Sequence, residues 1–130
     1  MRKKIGEVAA ILDVSVDTLR YYEKIGLLGL VTRSNSGVRY YDDSLIARIR
    51  FIRHAQRMGF TLNSIKELLN FRDHPINIKP KVREMIKQKL NELEQQIFDL
   101  SQLRDELSAL TAACEHSVES DCPILKEFEK

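Results

Sequence analysis

The second half of this chain contains a regular repeat of apolar residues, and this repeat constrains the fold more than any other feature. Its steps are three or four residues long, as in a coiled-coil seam. The apolar positions are Ile86, Leu90, Leu93, Ile97, Leu100, Leu103, Leu107 and Leu110. The repeat predicts one long helix over residues 81–113. Because a lone helix would expose this seam to water and no other segment is left to cover it, we predict a homodimer.

The formal charge divides the chain near residue 74. Residues 1–74 carry 13 basic and 8 acidic side chains, whereas residues 75–130 carry 8 basic and 11 acidic ones. The first part therefore has a net charge of +5 and the second a net charge of −3. A basic domain suits a polyanion such as double-stranded DNA. With no Trp and 5 Gly, the chain is predicted to be mainly helical.

The sequence lacks the usual signals for export or for membrane insertion. No apolar run is long enough to span a bilayer. The basic start at residues 1–4 is followed by Glu7 and Asp13, which is not the pattern of a signal peptide. We therefore expect a cytoplasmic protein, in which two cysteines act as thiols or metal ligands and do not form a disulfide.

Residues 5–24 are typical of two short helices around a tight turn. The apolar residues of the first helix share one face, and they are Ile5, Val8, Ile11 and Leu12. Ser15 is the predicted N-cap of a second helix, which Gly26 ends. The pair is a helix-turn-helix, whose second helix ordinarily enters the major groove. Arg20 on that helix is a candidate contact to a base edge or a phosphate.

A short hairpin follows, so the first domain is predicted to be a winged helix-turn-helix. Asn35-Ser36-Gly37 form the predicted turn, and residues 38–41 form the returning strand. The wing would carry Arg33, Arg39 and Tyr40 towards the DNA backbone, since Arg and Tyr side chains suit phosphate contacts. An ordinary solvated helix followed by a hairpin is the alternative interpretation of the same pattern.

Two more helices complete this domain. The first runs over about residues 45–58, and its apolar stripe consists of Leu45, Ile49, Ile52 and Ala55. Gly59 ends it, and a shorter helix extends from Thr61 to Leu69. The arginines of the longer helix either touch phosphates or form a solvated face. Pro75 and Pro80 predict a break before the long helix.

The whole chain resembles the MerR family of bacterial transcription regulators. The resemblance is carried by Ile5-Gly6-Glu7, residues 18–23, Leu27-Leu28, Arg33, residues 37–41, Phe51-Ile52-Arg53 and Gly59-Phe60. It implies a winged helix-turn-helix DNA-binding domain over residues 1–74, a dimerisation helix over 75–113 that forms an antiparallel coiled coil, and a metal-binding loop with a short helix over 114–130. The chain departs from the family at Gly29, where relatives often have proline.

This resemblance also implies a mechanism and a set of contacts. Activators of the family bend and underwind a promoter whose spacer is too long for RNA polymerase. They bind a two-fold-symmetric operator as homodimers. Carried over to this sequence, the DNA contacts fall on Arg20, Tyr21, Arg33, Arg39, Tyr40 and Arg53.

Both cysteines, Cys114 and Cys122, lie after the long helix with seven residues between them. Two thiolates with no further ligand suit Cu(I) or Ag(I), whereas Zn(II) and Cd(II) take three or four ligands. The loop resembles that of the copper-efflux regulators in its gap and in Asp121-Cys122-Pro123-Ile124. Divalent sensors of the family carry a third cysteine at the position of Lys79, where copper-type relatives usually have serine.

Lys79 and His116 leave several alternatives open. The Lys79 ammonium could offset the net negative charge of two thiolates around a monovalent ion, pair with the bare thiolates, or point into solvent. His116 could complete a Zn(II) or Cd(II) site. A third alternative is a regulator whose cysteines react with thiols or electrophiles. We do not expect an enzyme, because no nucleophile–base pair or phosphate-binding glycine loop is present. We also do not expect a drug sensor, since the chain ends at Lys130.

Overall fold

The computed structural model describes residues 2–29, 32–33, 35 and 37–130, with only the backbone at 32–33. The elements in chain order are β1 (Lys3–Lys4), α1 (Ile5–Leu12), α2 (Val16–Lys24), β2 (Thr32–Arg33), β3 (Arg39–Tyr41), α3 (Asp43–Arg57), α4 (Leu62–Asp73), α5 (Lys79–Glu115) and α6 (Pro123–Phe128). They fall into two units, one ending at Ile78 and the other beginning at Lys79.

Short polar side chains start three of the helices. The Ser15 side chain accepts a hydrogen bond from the backbone N–H of Thr18 at 3.0 Å, which confirms the predicted N-cap of α2. The Asp42 carboxylate accepts from the backbone N–H of Leu45 at 2.8 Å and starts α3. Thr61 caps α4 in the same way. Each cap satisfies a backbone donor that the first helical turn leaves unpaired.

A left-handed glycine follows α2, as predicted. Gly26 has φ +82°, a conformation that costs glycine little and other residues more. The backbone N–H of Leu27 then bonds to the carbonyl oxygen of Tyr22 at 2.9 Å. This turn ends the helix and directs the chain towards β2.

The hairpin belongs to a three-stranded antiparallel sheet of order β1-β3-β2. Strand β1 was not predicted, because two lysines give no strand pattern; it pairs Lys3 with Tyr41 and Lys4 with Tyr40. Of the predicted Asn35-Ser36-Gly37 turn, Ser36 lies outside the described residues. Strand β3 of the wing therefore pairs with β1 at the start of the chain as well as with β2, the other strand of the wing.

The buried core of the first unit lies between the helices and β3. Its fully buried large side chains are Tyr22, Tyr41, Leu19, Leu27, Ile49, Ile52, Ile65, Leu69 and Val8. The predicted stripe of α3 is buried throughout, which confirms it. On the predicted apolar face of α1, Val8 is fully buried, whereas Ile11 at the end of this short helix is 51% exposed.

Arg48 connects three segments of the first unit. Its Nε donates to the carbonyl oxygen of Leu27 at 2.6 Å, and its Nη1 lies 3.0 Å from each carboxylate oxygen of Asp73. The turn after α2 and the end of α4 are therefore both fixed to α3. The contact between Arg48 and Asp73 anchors the last turn of α4. It therefore supports the extra turn by which α4 extends beyond the predicted end at Leu69.

Helix α5 starts earlier than predicted and contains Pro80 in its first turn. Proline is tolerated there because the first helical N–H groups have no partner within the helix. In this single chain α5 has no buried residue. Its predicted seam is exposed from Ile86 to Leu107 and half-buried at Leu110. Within the described part of the chain, no helix is long and apolar enough to cross a membrane.

Replacement of Arg48 by alanine should lower the free energy of unfolding by about 2 kcal/mol, because it removes charge-assisted hydrogen bonds and leaves the Leu27 carbonyl unpaired. The control is Arg104→Ala, since Arg104 is exposed and pairs only with its neighbour Asp105 among the contacts seen; this change should cost less than about 0.5 kcal/mol. Urea unfolding followed by circular dichroism, at one fixed protein concentration, measures both. Equal losses in the two variants would contradict the role assigned to Arg48.

Candidate nucleic-acid interface and two-cysteine loop

Two adjacent tyrosines of α2 have opposite environments. Tyr21 is 49% exposed, whereas Tyr22 is buried and its hydroxyl donates to Oε1 of Gln56 on α3. Consecutive helical residues point about 100° apart, so one faces solvent while the other packs into the core. Of the two, Tyr21 is the one available to a ligand, and its contact with DNA stays a prediction.

Arg20 lies beside Tyr21 on the exposed surface of α2. Its Nη1 is 3.8 Å from the Asp17 carboxylate, and the two side chains are 55% and 94% exposed. A pair this long and this exposed contributes little to stability. The guanidinium can therefore exchange Asp17 for a phosphate or a base edge at small cost.

The wing residues differ in how firmly they are held. The Nε of Arg39 on β3 donates to Glu23 on α2, and both side chains are mostly buried. Tyr40 is half-buried. The backbone of Arg33 on β2 lies opposite Arg39 in the ladder, and its side chain lies outside the described structure. The Glu23–Arg39 ion pair fixes the wing strand to α2, a contact that the sequence analysis did not identify.

Arg53 belongs to a basic surface on α3. Its Nη1 lies 3.5 Å from Oε1 of Gln56, the amide that also accepts from Tyr22. A depression of about 340 Å³ is lined by Ile11, Leu12, Arg50, Arg53, His54 and Arg57. The family resemblance selected Arg53 alone, and for the other arginines of this helix the sequence left phosphate contacts and a solvated face open. The spacing of Arg50, Arg53 and Arg57 places them on neighbouring positions of the helix.

The two cysteines lie at the two ends of the segment between α5 and α6. Cys114 is in the last turn of α5, and Cys122 directly precedes Pro123, the first residue of α6. Both thiols are free and half-buried. Turn hydrogen bonds join the N–H of Ser117 to the carbonyl of Cys114 at 3.3 Å and the N–H of Asp121 to the carbonyl of Val118 at 3.0 Å. These turns reverse the chain between the two cysteines, and the approach of both sulfurs to one ion stays a prediction.

The structure also locates His116 and Lys79, the two other residues that the sequence suggested for a metal site. Among the described residues no three His, Cys, Asp or Glu side chains group to hold a metal, so His116, which is exposed, does not join both cysteines in such a group. Lys79 is exposed at the other end of α5. At a rise of about 1.5 Å per residue, it lies about 52 Å from Cys114 along the helix. One chain cannot bring Lys79 to its own loop.

Comparison with known proteins shows the family of this chain. The model for the MerR HTH family regulatory protein matches residues 3–71, and a second model, MerR DNA binding, matches residues 46–110. The transcriptional regulator ZntR of Escherichia coli K12 is 36% identical over 98% of this chain and 92% of its own. The chain belongs to the MerR family. It is an HTH-type regulatory protein.

Other MerR proteins are comparably similar. The regulator CueR of Escherichia coli O6:H1 is 33% identical over 95% of this chain and 92% of its own. The crystal structure of PbrR691 from Ralstonia metallidurans, solved with Pb(II), has a TM-score of 0.82 and 32% identity, and covers 97% of this chain and 98% of PbrR691. The resemblance of the loop to copper-efflux regulators is therefore not matched by a greater overall similarity to CueR than to ZntR.

Replacement of Arg20 by alanine should weaken binding to a DNA duplex that contains the promoter regulated by this MerR protein. Loss of one phosphate contact lowers the slope of log K against log salt concentration by about 1. Fluorescence anisotropy at several salt concentrations gives both values, with Arg104→Ala on the second unit as the matched control. If Arg20→Ala and the control have the same affinity and slope as the native protein, Arg20 does not contact DNA.

Proposed function

We propose that this MerR protein is a metal-responsive transcriptional activator that senses Cu(I) or Ag(I) through Cys114 and Cys122. The observation that carries the proposal is the loop itself: two half-buried thiols at its two ends, with no third metal-binding side chain grouped with them in the described part of the chain. Two thiolates form a linear site for a soft monovalent ion. The protein would act in the cytoplasm, where thiols stay reduced.

DNA binding is assigned to the first unit. The exposed Arg20 and Tyr21 on α2 would enter the major groove, and Arg33 and Tyr40 would contact the backbone from the wing. Arg39 would contact the backbone only with the part of its guanidinium that the ion pair with Glu23 leaves exposed. The basic depression around Arg53 supports a further backbone contact. The wing and α2 are joined by the Glu23–Arg39 ion pair, so the two contact surfaces would dock together.

Dimerisation is assigned to α5. The exposed seam supports an antiparallel coiled coil of two copies, which would present two DNA-binding units to a two-fold-symmetric operator. The operator would lie in the overlong spacer of a promoter. Bending and underwinding of that spacer by the metal-bound dimer would bring both promoter elements into register for RNA polymerase.

The antiparallel arrangement also gives Lys79 a place. The start of one α5 would lie beside the end of the other, so Lys79 of the partner subunit would approach the loop that carries Cys114 and Cys122. Two thiolates around a monovalent ion have a net charge of −1, and an ammonium nearby would offset it. Lys79 would thus favour a monovalent ion over a divalent one.

A divalent sensor is the second candidate. PbrR691, which was solved with Pb(II), aligns along almost the whole chain at 32% identity. For Zn(II) or Cd(II), a third ligand would have to come from His116 after a change in the loop, or from the partner subunit. A thiol- or electrophile-sensing regulator is a third candidate, which uses the same cysteines as nucleophiles.

The metal is tested by anaerobic titration of the reduced protein with Cu(I) and, separately, Zn(II), each against a competing chelator. We expect one tightly bound Cu(I) per protomer, and loss of this binding in both Cys114→Ser and Cys122→Ser, because a two-coordinate site fails without either ligand. Ser120→Ala in the same loop is the control and should bind normally. Tight Zn(II) binding that requires His116 would instead support the divalent sensor.

The activation mechanism is tested by transcription in vitro with RNA polymerase and the regulated promoter. With the native spacer, transcription should require the Cu(I)-loaded dimer. Shortening of the spacer to ordinary length should make transcription independent of the metal, because the promoter elements are then already in register. If metal-bound protein activates both templates equally, realignment of the promoter is not the mechanism.

A further inference from the structure

The hydroxyl of Ser117 lies between the two ends of the cysteine loop. Its Oγ is 2.9 Å from the carbonyl oxygen of Cys114 and 3.0 Å from the carbonyl oxygen of Asp121, the residue that directly precedes Cys122. A hydroxyl has one hydrogen and donates to one acceptor at a time. Both carbonyl oxygens are within hydrogen-bond distance, so the hydroxyl can donate its hydrogen to either end of the loop.

The burial pattern of the loop agrees with this position. From Glu115 to Ser120, Ser117 is half-buried and the other five residues are exposed. The half-buried side chains on either side are those of Cys114, Asp121 and Cys122. The Ser117 side chain therefore faces the two ends of the loop, which carry Cys114 and Cys122, whereas the Ser120 side chain is exposed to solvent.

From this geometry we propose that Ser117 is a positioning residue that holds the loop closed before the metal binds. One acceptor is the carbonyl oxygen of Cys114 itself. The other is the carbonyl oxygen of Asp121, which belongs to the peptide bond that joins Asp121 to Cys122. Donation to Asp121 restrains the segment that leads to Cys122, and donation to Cys114 restrains the segment that follows that cysteine. Because the hydroxyl makes one or the other of these bonds, it restricts the separation of the two sulfurs. Preorganisation of this kind raises affinity, because less conformational freedom is lost when the ligand binds.

A second contact in the loop has a different character. Lys126 on α6 forms an ion pair with the carboxylate of Asp121, and the two side chains are 68% and 36% exposed. Solvent screens an ion pair at this exposure, so it contributes little to closure. The Ser117 hydroxyl, which is half-buried and within hydrogen-bond distance of carbonyls at both ends of the loop, is the contact that we expect to matter.

The inference rests on the proposed metal site, and its first test does not need a metal. Amide hydrogen exchange of the metal-free, reduced full-length protein, measured by mass spectrometry, should show faster exchange over residues 114–126 in Ser117→Ala than in the native protein. Ser117→Thr keeps the hydroxyl and should restore native exchange. Ser120→Ala should leave exchange unchanged, and the exchange of the first unit should be the same in all variants.

The second test measures the consequence for metal binding. Ser117→Ala should weaken Cu(I) binding about three- to tenfold, the effect of one net hydrogen bond, whereas Ser117→Thr and Ser120→Ala should stay within about twofold of the native protein. Native exchange in Ser117→Ala, or equal effects of Ser117→Ala and Ser120→Ala, would overturn the proposal. If the native protein binds no Cu(I), the proposed metal fails, while the exchange data still decide whether Ser117 closes the loop.

Discussion

One arginine joins the parts of the DNA-binding unit that have to keep a fixed geometry. Arg48 extends from α3 to the Leu27 carbonyl just after α2 and to Asp73 at the end of α4. A second cation acts nearby, since the guanidinium of Arg72 on α4 lies 5.6 Å from the ring centroid of Phe51 on α3. Apolar burial drives the packing of these helices, but it is not directional. The hydrogen bonds of Arg48 are directional, so they fix the register of α2 and α4 relative to α3.

Directional contacts also hold together the surface that we propose faces DNA. Glu23 ties β3 to α2 through Arg39, and Tyr22 ties α2 to α3 through Gln56. Both contacts come from α2, the helix that also exposes Arg20 and Tyr21. One face of this helix therefore fixes the scaffold while the other remains open to a ligand. For a protein proposed to distort DNA, this rigidity matters, because a surface that yields cannot bend a stiff duplex.

Much of the fold could be predicted because the local signals agree with the tertiary structure. Ser15 and Gly26 bound α2 by capping chemistry alone, and the α3 stripe follows from its period. Strand β1 could not be predicted, because its two lysines pair with β3 through backbone bonds that leave no mark on the side-chain pattern. Pro80 suggested a break, yet its position in the first turn makes it compatible with α5.

For the candidate site, residue types were easier to predict than contacts. Arg20 and Tyr21 on α2 and the two cysteines of the loop could be identified from the sequence pattern and the family resemblance. The Glu23–Arg39 ion pair and the hydrogen bonds of Ser117 depend on how distant or folded-back segments meet, and no sequence period encodes that. The role proposed for Lys79 depends on a second subunit, since the length of α5 separates this residue from the loop of its own chain.

The exposed seam of α5 has a consequence for the life of the protein in the cell. A single subunit presents a row of large apolar side chains along a 37-residue helix. Such a surface attracts chaperones and proteases until it is covered. The proposed dimer would cover this surface. Unpaired subunits would then be removed and pairs retained, so quality control itself would keep this regulator in the dimeric form.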